Sequence, residues 1–272
     1  MHLLRSSNKW LIIILLPLLL GACKRNFQYS ILEVRPYSSD LNNKAISSIK
    51  KLAPQDTFSF LIISDTQIAY DELQDFVKYA NEIPDDSIAF VLHGGDFTDY
   101  GASFEYNFYY DEIRKLKFPI VGTIGNHDIL GNGRYIYRKL FGPEDFTFEY
   151  GNTAFIVFNS NSREVAFDGS VPNLPWLENT THSFRHKRNV IYLSHISPLS
   201  GDYDQRKTEA QSALVAQHGN TRLSIHGHSH SFEYTEPFDD GVKYVVAPTI
   251  LKRSYVKVTV ADNTVTVNEL FY

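Results

Sequence analysis

Five short motifs constrain this chain more than any other feature. They are Asp65-Thr66-Gln67, Gly95-Asp96-Phe97-Thr98-Asp99, Gly125-Asn126-His127-Asp128, Ser194-His195 and Gly227-His228-Ser229-His230. Each follows a short apolar, β-branched run, so each is expected where a buried strand ends and a loop begins. A fold that obeys this pattern brings several strand ends to one place. Aspartate, asparagine and histidine gathered there form the donor set that a pair of hard-to-borderline metal ions needs.

The stretches between the motifs support a sheet with helices packed on it. Phe58 to Ile63, Ile88 to Leu92 and Pro119 to Ile124 read as buried strands. Asp71 to Ile83 reads as an amphipathic helix with Leu73, Phe76, Val77 and Ala80 on one face. Ser103 to Leu116 reads as a second helix, with Phe104, Phe108, Ile113 and Leu116 inward. Asp65 to Asp96 spans 31 residues and Asp96 to Asn126 spans 30, each the length of a strand-helix-strand unit. The later half reads as a hairpin around Gly151-Asn152, a strand at Val190 to Leu193, a helix at Gln205 to His218 and a strand at Leu223 to Ile225. Val242 to Ala247, Ser254 to Val260 and Thr264 to Leu270 read as a closing antiparallel set. With 272 residues, 43% of them hydrophobic, the chain can bury the core of a large α/β domain. Its formal net charge of −5 argues against nucleic acid as a partner.

The first residues read as a targeting segment. Arg5 and Lys9 form a basic region, and Trp10 to Leu20 is an apolar run of 11 residues, short for a membrane span. The run ends in Leu20-Gly21-Ala22-Cys23, which resembles a bacterial lipobox. Cys23 is the sole cysteine, so no intrachain disulfide can form. The expectation is a signal peptide at 1–22, lipidation of Cys23 and a membrane-anchored protein of the cell envelope. Removing residues 1–22 takes away Arg5 and Lys9 and no acid, moving the formal charge from −5 to −7. Residues 23–56 read as tether and N-terminal extension, and 57–272 as the functional domain.

Taken together, the five motifs resemble those of the calcineurin-like metallophosphoesterase superfamily, over roughly Phe58 to Val246. The resemblance implies a four-layer α/β/β/α sandwich of two mixed sheets flanked by helices. It implies two divalent or trivalent ions (manganese, iron or zinc), with Asp96 bridging them. Asp65 and His230 belong to one site; Asn126, His195 and His228 belong to the other. Gln67 stands where the family pattern has histidine. Its amide oxygen can ligate, it can bind a metal-held water, or the first site can be weakened.

The implied activity is hydrolysis of phosphomono- or diesters by in-line attack of a metal-bridging hydroxide, with His127 as general acid. Asp128 is expected to orient and charge His127. Asp99 is expected to hold its own loop, with Thr66 and Thr98 as loop hydrogen-bonders. His93 and His226 read either as supports for the ligands or as satisfied histidines at strand ends. Arg134, Arg163 and Arg206 lie in loops where a guanidinium can grip phosphate, although a solvated surface role is the blander reading of each. The competing function, motivated by Gln67, is a non-catalytic metal- or ligand-binding lipoprotein on the same scaffold.

Overall fold

The computed structural model describes residues 29–84 and 86–272. The signal-peptide reading and Cys23 therefore lie outside the described residues. The strand runs of the sequence separate into two sheets. The first contains β1 (Thr57–Ile63), β2 (Ile88–His93), β3 (Ile120–Gly122), β10 (Ser254–Ala261) and β11 (Thr264–Phe271), in the order β11-β10-β1-β2-β3. The second contains β4 (Phe146–Tyr150), β5 (Thr153–Val157), β6 (Asn189–Leu193), β7 (Thr221–His226), β8 (Glu233–Thr235) and β9 (Lys243–Val246), in the order β4-β5-β6-β7-β9-β8. β1, β2 and β3 run parallel, as do β5, β6, β7 and β9; antiparallel strands complete both sheets.

Alternation along the strands builds the layers. Phe58, Phe60 and Ile62 of β1 turn toward the second sheet, where they meet Phe155, Val157, Ile191 and Leu223. Phe60 stacks on its register partner Phe90 at 5.4 Å, and Phe155 stands edge-on to both. Leu61 and Ile63 point the other way, into helices α2 (Tyr70–Glu82), α3 (Ser103–Ile113) and α4 (Gly133–Leu140). On the far side, Ala154, Ile156, Val190 and Tyr192 pack against α5 (Leu174–Ser183) and α6 (Thr208–Ala216). The result is the α/β/β/α sandwich. Helix α1 (Leu41–Ile49), from the N-terminal extension, places Ala45, Ile46 and Ile49 in the inter-sheet core. Its Asn42 side chain bonds both the N–H and the C=O of Gly122 at 2.9 Å, tying it to the end of β3.

Two expectations change. The buried face of α3 carries Tyr106, Tyr109 and Ile113, while Phe108 is exposed and meets Tyr29 and Tyr70. Both stripes of this aromatic-rich helix are apolar, so periodicity alone does not choose between them. The closing antiparallel set also divides: β9 joins the second sheet parallel to β7, and only β10 and β11 form the antiparallel pair, beside β1. Val245 and Val256 then face one inter-sheet core from opposite sheets.

Candidate metal centre

All five motifs leave the carboxyl ends of parallel strands, where α/β sheets place their ligands. The loops turn hard at these ends. Asp65, Asp96, His228 and His230 all take left-handed backbone, with φ of 54°, 61°, 72° and 60°. Such conformations cost an ordinary residue about 1–3 kcal/mol and collect at functional sites. Gly125 serves by closeness instead: a Cβ there would lie 2.1 Å from Asp96 Oδ1.

Four of the candidate ligands form one cluster. Asn126 Oδ1 lies 3.0 Å from His195 Nε2 and 3.0 Å from His228 Nδ1. Asp96 Oδ2 lies 3.2 Å from His195 Nε2. Asp96, His195 and His228 offer ligand atoms that all lie within 4.8 Å of one another. The outward ring nitrogens are already engaged. His195 Nδ1–H donates to the Gly94 carbonyl at 2.7 Å, and His228 Nε2–H donates to Asp202 Oδ2 at 3.0 Å. A carbonyl and a carboxylate can only accept, so each ring must present its other nitrogen inward. Two inward ring nitrogens, an amide oxygen and a carboxylate oxygen therefore face one another.

Such a group repels itself unless something positive sits among it. Burial alone would lower His195, but the Asp96 carboxylate, with Asp65 behind it, overrides burial and pushes the ring up to about 10. Burial would raise Asp96, and His195 in turn holds it below the usual carboxylate range. Burial lowers His228, leaving its inward nitrogen available to a cation. The donor set fits a borderline divalent metal.

Asp65, Gln67 and His230 flank this cluster. His230 Nε2 lies 3.3 Å from Asp65 Oδ1, and that hydrogen bond raises His230. The Asp65 carboxylate also accepts the His228 N–H at 3.2 Å. Gln67 donates its amide to Asp96 Oδ2 at 3.3 Å, while its buried Oε1 has no hydrogen-bond partner. An orphaned carbonyl oxygen beside the bridging candidate is what a hard cation would use.

The expected roles of Asp99 and Asp128 are exchanged. Asp128 was expected to orient His127. Its buried carboxylate instead accepts the N–H groups of Gly125, Asp96, Phe97 and Thr98 and the Thr98 hydroxyl, at 2.9–3.1 Å. Five donors at the turn leave it no reach to the neighbouring ring; it fastens the second motif to the third. Burial and the nearby Asp96 push Asp128 up to about 7, against those donors. His127 is held by the Asp99 backbone carbonyl, 2.9 Å from Nδ1, with the Asp99 carboxylate at 3.6 Å. Its own N–H donates to Asp96 Oδ1 at 2.9 Å, which fixes the partly exposed ring beside the cluster.

His93 and His226 are satisfied histidines. His93 Nδ1 accepts the Gly95 N–H at 3.1 Å and its Nε2 meets the Thr66 hydroxyl at 3.1 Å. His226 lies between the Ser194 and Ser224 hydroxyls at 3.2 and 2.9 Å. Burial lowers each to about 3. Each stays neutral in the fold, whereas the unfolded chain takes up protons near pH 6.5. Their contribution is thus complete above about pH 6.5 and is lost as pH falls toward 3. Between pH 7 and 5 the pair alone should cost about 3–4 kcal/mol, but Asp128, held at about 7, takes up its proton in the fold over the same range and offsets about 2 kcal/mol, leaving a net loss on the order of 1 kcal/mol. His195 has the opposite sign, but its contribution fades only as pH rises from about 6.5 through about 10. Urea melts of metal-free protein at pH 7 and pH 5 check this, and an unchanged midpoint would refute it.

All three arginines have carboxylate partners, and Arg134 lies on α4 rather than in the expected loop. Arg134 grips Glu144 at 2.7 and 2.8 Å, Arg163 pairs with Asp202 at 2.8 Å, and Arg206 pairs with Asp204 at 2.7 Å. Asp202 is the residue that sequence reasoning missed. It falls in Gly201 to Arg206, a stretch that reads as a loop able to shape specificity, and nothing in the spacing ties it to His228.

Comparison with known proteins gives the family and the fold. The family model described as calcineurin-like phosphoesterase matches residues 58–232. The chain belongs to that family. It is 24% identical over 115 residues to the probable glycerophosphodiester phosphodiesterase GpdQ of Arcobacter nitrofigilis, covering 39% of this chain and 41% of that protein. Among solved structures, a dimetal phosphatase from Danio rerio aligns with a TM-score of 0.61 at 14% identity, over 81% of this chain and all of that one. A purple acid phosphatase from yellow lupin, Lupinus luteus, aligns at 0.58 and 13% identity, over 78% of this chain and 51% of that one. The likeness to these two solved structures is one of fold.

Proposed function

We propose that the protein hydrolyses phosphomono- or diesters at a two-ion centre formed by Asp65, Gln67, Asp96, Asn126, His195, His228 and His230, with His127 as the general acid. The single observation that carries this is the convergence of inward ligand atoms from Asp96, Asn126, His195 and His228, 3.0–3.2 Å apart, with both outward ring nitrogens already bonded. Bound divalent ions would supply Lewis-acid stabilisation of the charge that builds on phosphoryl oxygens, and a nucleophile at neutral pH.

The chain supplies the rest. Asp128 gathers the second and third motif loops, so that Asp96 and Asn126 meet. The Asp99 carbonyl takes the Nδ1–H of His127, which leaves Nε2 to carry the transferable proton of the imidazolium. That proton goes to the departing alkoxide. Similarity to a probable glycerophosphodiester phosphodiesterase supports keeping diesters among the substrates. The lipobox-like Leu20-Gly21-Ala22-Cys23 supports an exported protein anchored through Cys23, whose substrates are extracytoplasmic phosphate esters.

The test is metal analysis of purified protein alongside turnover of nitrophenyl phosphate and bis-nitrophenyl phosphate. Chelation should abolish turnover, and manganese, zinc or iron should restore it with about two equivalents bound. Protein that stays metal-free and inert after all three additions would overturn the enzymatic reading and favour a binding lipoprotein.

A further inference from the structure

We infer that Asp202 is a positioning residue for one half of the centre: it fixes the His228 ring so that Nδ1, the nitrogen nearer the backbone, faces the cations. Arg163 holds Asp202 in place. The inference rests on the two-ion reading and adds a control element to it.

His228 Nε2 and Asp202 Oδ2 are 3.0 Å apart, and the other Asp202 oxygen takes Arg163 Nη1 at 2.8 Å. The carboxylate therefore spends one oxygen on the imidazole and the other on the guanidinium. Accepting from Nε2–H forces the proton onto that nitrogen and bares Nδ1, which lies 3.0 Å from Asn126 Oδ1. His195 obtains the same result from a backbone carbonyl, which no side-chain change removes. His228 depends on a side chain borne by a different loop.

That loop is itself clamped. Arg206 donates to the Phe167 carbonyl, and Lys207 Nζ donates to the carbonyls of Gly169 and Pro172 at 2.5 and 2.7 Å. With Arg163 to Asp202, these bonds fasten residues 163–172 to residues 202–207. The orientation of His228 is thus set by the closed pairing of two loops outside the five motifs. The Asn126, His195 and His228 site, but not the Asp65 and His230 site, depends on that pairing.

The experiment is metal titration of the full-length protein with manganese and with cobalt, read by bound equivalents and by the cobalt absorption spectrum, without any assay of turnover. Asp202→Ala should weaken one of two equivalents by about 10–100-fold and leave the other unchanged. Asp202→Asn, whose amide oxygen still accepts from Nε2–H, should recover most of that affinity. Arg163→Ala should fall between wild type and Asp202→Ala. Nitrogen-15 NMR of the histidine rings in metal-free wild type should show His228 with its proton on Nε2, and in Asp202→Ala a mixture of tautomers.

A metal-free wild type with His228 protonated on Nδ1 would overturn the inference. So would an Asp202→Ala protein that binds both equivalents as wild type does, or one that loses both together with its folded spectrum. The tautomer measurement needs no metal, so it judges Asp202 even if the wild-type protein binds none and the two-ion reading fails by itself.

Discussion

Asp96→Asn is expected to reduce turnover by roughly a thousandfold or more and to remove at least one equivalent of metal, in a protein that still folds. The fold should survive because Asp96 sits at φ 61°, a conformation asparagine tolerates nearly as well as aspartate. The asparagine oxygen can still accept the His127 N–H that Asp96 Oδ1 now takes at 2.9 Å. What disappears is the negative charge. Two cations roughly 3.5–4 Å apart repel strongly, and a shared carboxylate offsets much of that repulsion. The variant also faces the Gln67 amide nitrogen, 3.3 Å from Oδ2, with a second amide. Metal content and turnover of nitrophenyl phosphate measure both effects. A variant with two bound equivalents and more than a tenth of wild-type turnover would show that Asp96 does not bridge.

His127→Ala separates proton transfer from metal binding. No candidate ligand depends on its ring, which the Asp99 carbonyl holds at 2.9 Å. Metal content should remain as in wild type. Turnover of an alkyl phosphate should fall by about a hundred- to ten-thousandfold, the usual range for a lost general acid. Nitrophenyl esters, whose leaving group needs no proton, should fall far less. Equal losses on both substrates would remove the acid role and leave His127 a binding residue. Asp128→Ala should behave differently, because that carboxylate ties the Gly95 and Gly125 loops together.

Much of this was legible in the sequence, because ligand-bearing loops and strand ends are local features. Apolar runs before Asp65, Asp96, Asn126, His195 and His228 marked both the sheets and the convergence. Partners set by tertiary contact were not legible. Asp128 adjoins His127 in the chain and Asp99 lies 28 residues before it, yet the turn geometry gives the ring to Asp99. Asp202 meets His228 across 26 residues from a loop that reads as shaping specificity, with nothing local to pair it with a ligand. β9 read as a companion of β10 because both are valine-rich runs; in the fold they join different sheets, with a short 3-10 helix at Ile250–Lys252 between them.

The placement of β1 governs when the molecule can become competent. This strand launches the first motif, yet it lies between β2 and β10, its partner from near the opposite end of the chain, with Thr57 paired to Ala261. A nascent polypeptide emerging from the ribosome holds Asp65 long before it holds Ala261. Contacts this remote in sequence form late. On the two-ion reading, the full centre would therefore be assembled only once the chain is finished.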